Sequence, residues 1–184
     1  MKKNVFAIAC LALVAMLVAC NEKKTEKVDL RNVAEIVEED STVYGTCTEG
    51  TSMHVLEMVT NEGDTVSYVL LDEDGENPVV QGGLMAGDKL AVVGHIADGE
   101  NMADAVINTT TLLGHWTSLD KNFEIEEGGV VKSNVKAETS PWTSWKILNG
   151  RLVLNADTFA VVSLGADSLY LENSQGIFTY KRQQ

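Results

Sequence analysis

Cysteine and proline are nearly missing from this chain: three cysteines and two prolines stand among 184 residues. So few cysteines cannot build a disulfide scaffold. Positive charge is scarce as well, with 14 Lys and Arg against 27 Asp and Glu and a net charge of −13. Such a field repels phosphate backbones and anionic headgroups, which argues against nucleic acid as a partner. The longest apolar run, Val5 to Ala19, is too short to span a bilayer comfortably. Gly-x-Ser-x-Gly, His-Glu-x-x-His, P-loop and Cys-x-x-Cys motifs are all lacking. Acidic residues are scattered through turns, and no two of them stand out as general acid and base. These absences predict a non-enzymatic protein that uses no cofactor.

The N-terminus carries an address. Lys2 and Lys3 precede the apolar run, which ends in small residues, the pattern of a secretory signal over residues 1–19. Its end, Leu17-Val18-Ala19-Cys20, resembles the bacterial lipobox. The resemblance implies that Cys20 is acylated and becomes the new N-terminus, leaving a lipid-anchored protein of the cell envelope. Asn21-Glu22-Lys23-Lys24 lacks the aspartate at the second position associated with inner-membrane retention, which points to the outer membrane. Loss of residues 1–19 removes two lysines and leaves 12 basic against 27 acidic side chains, a net charge of −15. Cys10 is discarded, so Cys47 is the one unmodified cysteine, expected to be a small buried apolar residue.

Residues 20–40 are rich in lysine and glutamate and read as a lipidated tether, with a helical turn at VAEIVEE. From Ser41 onward, short β-branched and aliphatic runs alternate with NEGD, DEDGEN, QGG, AGD, ADGEN, EEGG, LNG, GAD and NSQG. Turn signals this dense predict an all-β fold of two small antiparallel domains, 41–112 and 113–184. In the first, His54, Leu56 and Met58 share one strand face. TVSYVLL (65–71) pairs back across NEGD, GDKLAVVG (87–94) makes a rim-to-strand element, and DAVINTTTLL (104–113) closes the sheet. This strand rhythm resembles an OB-like barrel, although the acidic charge speaks against nucleic-acid binding.

In the second half, Gly114-His115-Trp116 looks like the Gly-x-Trp signature on the first strand of lipocalins. The chain ends FTYKRQQ, and the resemblance implies that Lys181 or Arg182 lies across Trp116 in a cation–π contact. The segment 112–182 is similar to the C-terminal lipocalin-like domains of bacterial lipoproteins. Seventy residues allow only short strands, and a narrow barrel tends to fill its own interior. The expected function is binding of a small molecule, a glycan or a protein partner.

Two of the three tryptophans, Trp142 and Trp145, precede the Asn149-Gly150 turn. A two-residue type I′ hairpin there sets Trp145 opposite Leu154 and Ile147 opposite Leu152, on one apolar face. Trp145 is therefore expected in the core. Trp142, three residues earlier and next to Pro141, is expected at the rim, partly exposed, as a ligand-binding residue.

An alternative lies in the first half. Cys47, Met53, His54 and Met58 offer thiol, thioether and imidazole, a soft set that suits Cu(I) and would serve copper or envelope-stress sensing. Methionine as plain core filler is the competing reading. DEDGEN (72–77) resembles part of a calcium loop but lacks the later glutamate.

Overall fold

A computed structural model describes residues 39–70, 79–136 and 138–183. The signal run, the lipobox with Cys20, the tether up to residue 38 and the DEDGEN loop lie outside the described residues. The described chain is all-β, with a single helical turn, α1 (Thr109–Leu112).

The first barrel contains β1 (Val43–Cys47), β2 (Val55–Thr60), β3 (Thr65–Val69), β4 (Val80–Gln81), β5 (Lys89–Ala97) and β6 (Glu100–Asn108). Its sheet runs β3-β2-β1-β5-β6, and a parallel pairing of Val69 with Met102 brings β6 back to β3. The result is a closed five-stranded ring of OB-like order, with β4 added alongside β6. The expected hairpin is present, Val59 facing Thr65 across the turn. Leu56 and Met58 point into a core shared with Cys47, Tyr68, Leu90, Val92 and Val106. The final strand stops short of the expected Leu113. Asn108 ends it because its side-chain oxygen accepts from the Thr111 N–H at 2.9 Å, which turns Thr109–Leu112 into α1.

The second barrel is an eight-stranded meander: β7 (Gly114–Thr117), β8 (Asn122–Glu126), β9 (Val130–Ser133), β10 (Trp145–Leu148), β11 (Arg151–Leu154), β12 (Asp157–Leu164), β13 (Ser168–Asn173) and β14 (Gly176–Arg182). β14 returns to β7 through Lys181 with Thr117 and Arg182 with Trp116. The remaining seam, between β9 and β10, is stitched by a Val130–Ser144 bridge. Hydrogen bonds from Val131 N to Thr143 O (3.0 Å) and from Trp145 N to Gly129 O (2.8 Å) flank it. At Asn149-Gly150 both residues have positive φ, 47° and 72°, and the predicted register of the β10–β11 hairpin is found intact.

A meander places its successive turns at alternate ends of the barrel. One end carries the turns around 127–129, 149–150 and 165–167 together with α1, and it packs on the first barrel. There the Tyr44 hydroxyl donates to Ile147 O at 2.8 Å, and Leu164 N donates to the Gln81 side-chain oxygen at 3.1 Å. A Cβ on Gly150 would lie 2.9 Å from that of Ala105. Ala91 and Ile107 of the first barrel belong to the same apolar cluster as Trp116, Ile147 and Leu164. The other end carries the loops 118–121, 155–156 and 174–175 and the segments 134–136 and 138–144.

Candidate ligand cleft

The closed end is built around Trp116. Its indole is fully buried and donates to Leu112 O at 2.9 Å. Of the two basic residues predicted to cover it, Arg182 does so, with its guanidinium carbon 4.2 Å from the ring centroid. The same guanidinium donates to Leu113 O (2.7 Å), Thr111 O (2.5 Å) and Ala166 O. Lys181 alternates to the outside and is exposed. Gly114 has φ of +124°, and any side chain there would run into Arg182 Nη1. The Gly-x-Trp pattern is thus a steric and conformational requirement of the plug.

The open end holds a cleft of about 880 Å³. Trp142, Phe159, Phe178 and Tyr180 line it, with Thr117–Lys121 along one wall and Asn173, Gln175 and Ile177 along another. The aromatic rings are locked edge to face. Phe123 meets Trp142 and Tyr180, each at 5.1 Å between centroids, and Phe159 meets Trp142 and Phe178, each at 5.8 Å. Lys121 Nζ lies 4.5 Å above the Trp142 ring and is ion-paired to Glu138, which also accepts from Ser133 Oγ. The hydrogen bonds from Lys121 and Ser133 hold the Glu138 carboxyl below its ordinary range. Burial pushes the Tyr180 phenol up to about 12.

The structure reverses the expected exposure of the two indoles. Trp142 is buried, at 8% exposure, while Trp145 is only half-buried. The cause is a break in strand alternation at Thr143 and Ser144, whose N–H groups both donate to Asn155 Oδ1, at 2.9 and 3.1 Å. Asn155 itself sits at φ of 54° and donates from Nδ2 to Pro141 O at 3.1 Å. This clamp turns Trp142 inward, where its Nε1 donates to Asp157 Oδ2 at 3.1 Å. Trp145 keeps its place opposite Leu154 but donates to Glu126 O at 2.7 Å, at the edge of the core. Trp142 therefore reaches the cleft as a wall of the interior, not as a free rim.

The soft set of the first barrel is divided. Cys47 and Met58 are paired neighbours on β1 and β2 and both are buried, whereas Met53 is 85% exposed and His54 is exposed in the preceding turn. Among the described residues, no group of three or more His, Cys, Asp or Glu could hold a metal ion. Nor is any described helix long and apolar enough to cross a membrane.

Sequence reasoning missed Phe159, Phe178 and Tyr180 as cleft residues. The signal was present for two of them: in GIFTYKR, Phe178, Tyr180 and Arg182 alternate onto one face, and only the last was used.

Residues 108–183 match the lipocalin-like family. No curated protein and no solved structure matches the chain. The second barrel is therefore lipocalin-like by sequence as well as by strand order, and the match begins at the residue that caps α1.

Proposed function

We propose that the chain is a non-enzymatic, lipid-anchored protein of the cell envelope that holds a small, largely apolar molecule at the open end of its second barrel. The cleft carries this reading. It has an aromatic floor that includes Trp142, and it lies at the barrel end opposite to α1 and to the described contacts with the first barrel. Its volume lies in the range usual for small-molecule sites, and its lining sets apolar and aromatic surface among polar side chains. A small molecule fits such a concave, aromatic-floored site better than a glycan or a protein surface does. Similarity to a family built on a binding fold supports the same direction.

N-phenyl-1-naphthylamine, an apolar fluorophore, should bind the purified full-length chain saturably, with a Kd on the order of micromolar. Phe178 is the least buried aromatic of the floor, so Phe178→Ala should leave the fold intact and weaken binding roughly tenfold. Tyr44→Phe, at the opposite end, should leave binding unchanged. Absence of saturable binding to the parent chain would refute the ligand site. The anchor rests on Leu17-Val18-Ala19-Cys20 and the outer-membrane location on Asn21-Glu22. Metabolic labelling with palmitate should vanish in Cys20→Ala, and persistence of the label would place the anchor elsewhere.

A further inference from the structure

We propose that Tyr180 is the polar anchor of the cleft: its O–H donates a hydrogen bond to the carbonyl oxygen of an uncharged, largely aromatic ligand. The inference rests on reading the cleft as a ligand site, and it names the chemistry of what the site takes.

Several polar groups of the cleft are already engaged. Lys121 is committed to Glu138 and to the face of Trp142. Asp157 accepts from Trp142 Nε1. Ser118 Oγ accepts from the backbone N–H of Lys121 at 3.1 Å, and Asn173 Oδ1 from that of Gln175 at 2.8 Å. The charged groups are already met, Lys121 by Glu138 and Asp157 by the Trp142 indole N–H, while Asp120 and Lys181 are exposed to solvent, so none is left inside to select an anion or a cation. Asp120, Ser140, Gln175, Thr179 and Lys181 are exposed and meet water, whereas Tyr180 is buried. The residue is 2% exposed and lines the cleft, yet among the described residues its hydroxyl has no hydrogen-bond partner. Among the described residues, every side-chain nitrogen or oxygen that is wholly buried has a partner. The Tyr180 oxygen must therefore be the part of the side chain that touches the cleft. A deep hydroxyl facing an aromatic chamber is satisfied only by what enters the chamber. Because burial keeps the phenol protonated far above neutral pH, it is a donor there, and its complement is an acceptor.

Two naphthalene probes test this on the full-length chain: 6-propionyl-2-(dimethylamino)naphthalene, which carries a carbonyl, and N-phenyl-1-naphthylamine, which does not. Tyr180→Phe keeps the ring and removes only an unbonded hydroxyl, so its melting temperature should not fall. It should weaken the propionyl probe roughly 3- to 10-fold and leave the other probe unchanged. The emission of the bound propionyl probe, which moves to the red when its carbonyl accepts a hydrogen bond, should also shift to the blue in the variant. If both probes bind the parent and the substitution affects them equally, or affects neither, the Tyr180 assignment is overturned while the ligand site stands. If neither probe binds the parent, the ligand site falls and this assignment with it.

Discussion

Arg182 is the residue on which the closed end turns, because one guanidinium faces the Trp116 ring and donates to three backbone carbonyls. Removing it would uncover an indole face and leave acceptors from Thr111, Leu113 and Ala166 without donors. Arg182→Met should therefore cost about 2–4 kcal/mol in urea denaturation. Arg182→Lys should recover little of that, since a single ammonium cannot reproduce the planar fork. Lys181→Met, one residue away on the outer face, should be nearly neutral. The two other tryptophans should divide by burial. Trp142→Ala removes a ring held by two aromatic contacts, the Lys121 ammonium over its face and the Asp157 carboxylate, at about 3–5 kcal/mol. Trp145→Ala should cost distinctly less, and iodide should quench Trp145 before Trp142 in single-tryptophan variants. Equal quenching would contradict the buried position of Trp142. Tyr180 adds a pH dependence. Its folded pKa is raised by burial above the ordinary tyrosine value near 10, so the folded state resists an ionisation that the unfolded chain undergoes, and stability is unaffected below pH ~10. Stability falls as pH rises from ~10 to about 12, and Tyr180→Phe should flatten this part of the alkaline unfolding curve.

Elements whose cause is local could be read directly from the chain. The Asn149-Gly150 hairpin, its register and its apolar face follow from turn chemistry alone, and the β2–β3 hairpin follows from NEGD and strand alternation. Gly114, Trp116 and Arg182 were legible as a set because a short motif at each end of the domain pointed to the same contact. What could not be read depends on residues far away. The inward turn of Trp142 is imposed by Asn155, twelve residues after Thr143, and alternation by itself predicts the opposite face. The end of β6 is set by Asn108, a wholly buried amide that also donates to Gly82 O, Gly83 O and Asp88 Oδ2. Nothing in INTTTLL announces that the strand stops there, since threonine favours strands as readily as the end of one. The segment 138–144, which brings Ser140 and Trp142 to the cleft, is held by the Asn155 clamp and the Lys121–Glu138 pair. Asn155→Ala should release this loop. A loss of about 1–3 kcal/mol and a rise in iodide access to Trp142 are expected. Unchanged access would mean that the aromatic contacts alone keep the indole inside.

At the scale of the molecule, residues 39–184 form one compact unit in which two closed barrels share apolar surface. Ala91 and Ile107 leave the first barrel to join the core of the second, and the Asn149-Gly150 turn seats against Thr42 and Ala105. Barrels coupled in this way should unfold together, because opening either one exposes the shared face of the other to water. The tryptophans provide a direct test, since all three lie in the second barrel and tryptophan fluorescence therefore reports on that barrel alone. Leu56 is fully buried in the first barrel, in a cluster separate from the shared one. Leu56→Ala should cost about 2–5 kcal/mol by cavity formation. In a single cooperative unit, that loss appears in full in the tryptophan transition of the distant barrel and coincides with the transition followed by far-UV circular dichroism. Were the barrels independent, the fluorescence midpoint would stay at the parent value while part of the dichroism signal melted earlier, and the shared core would then contribute too little to couple them.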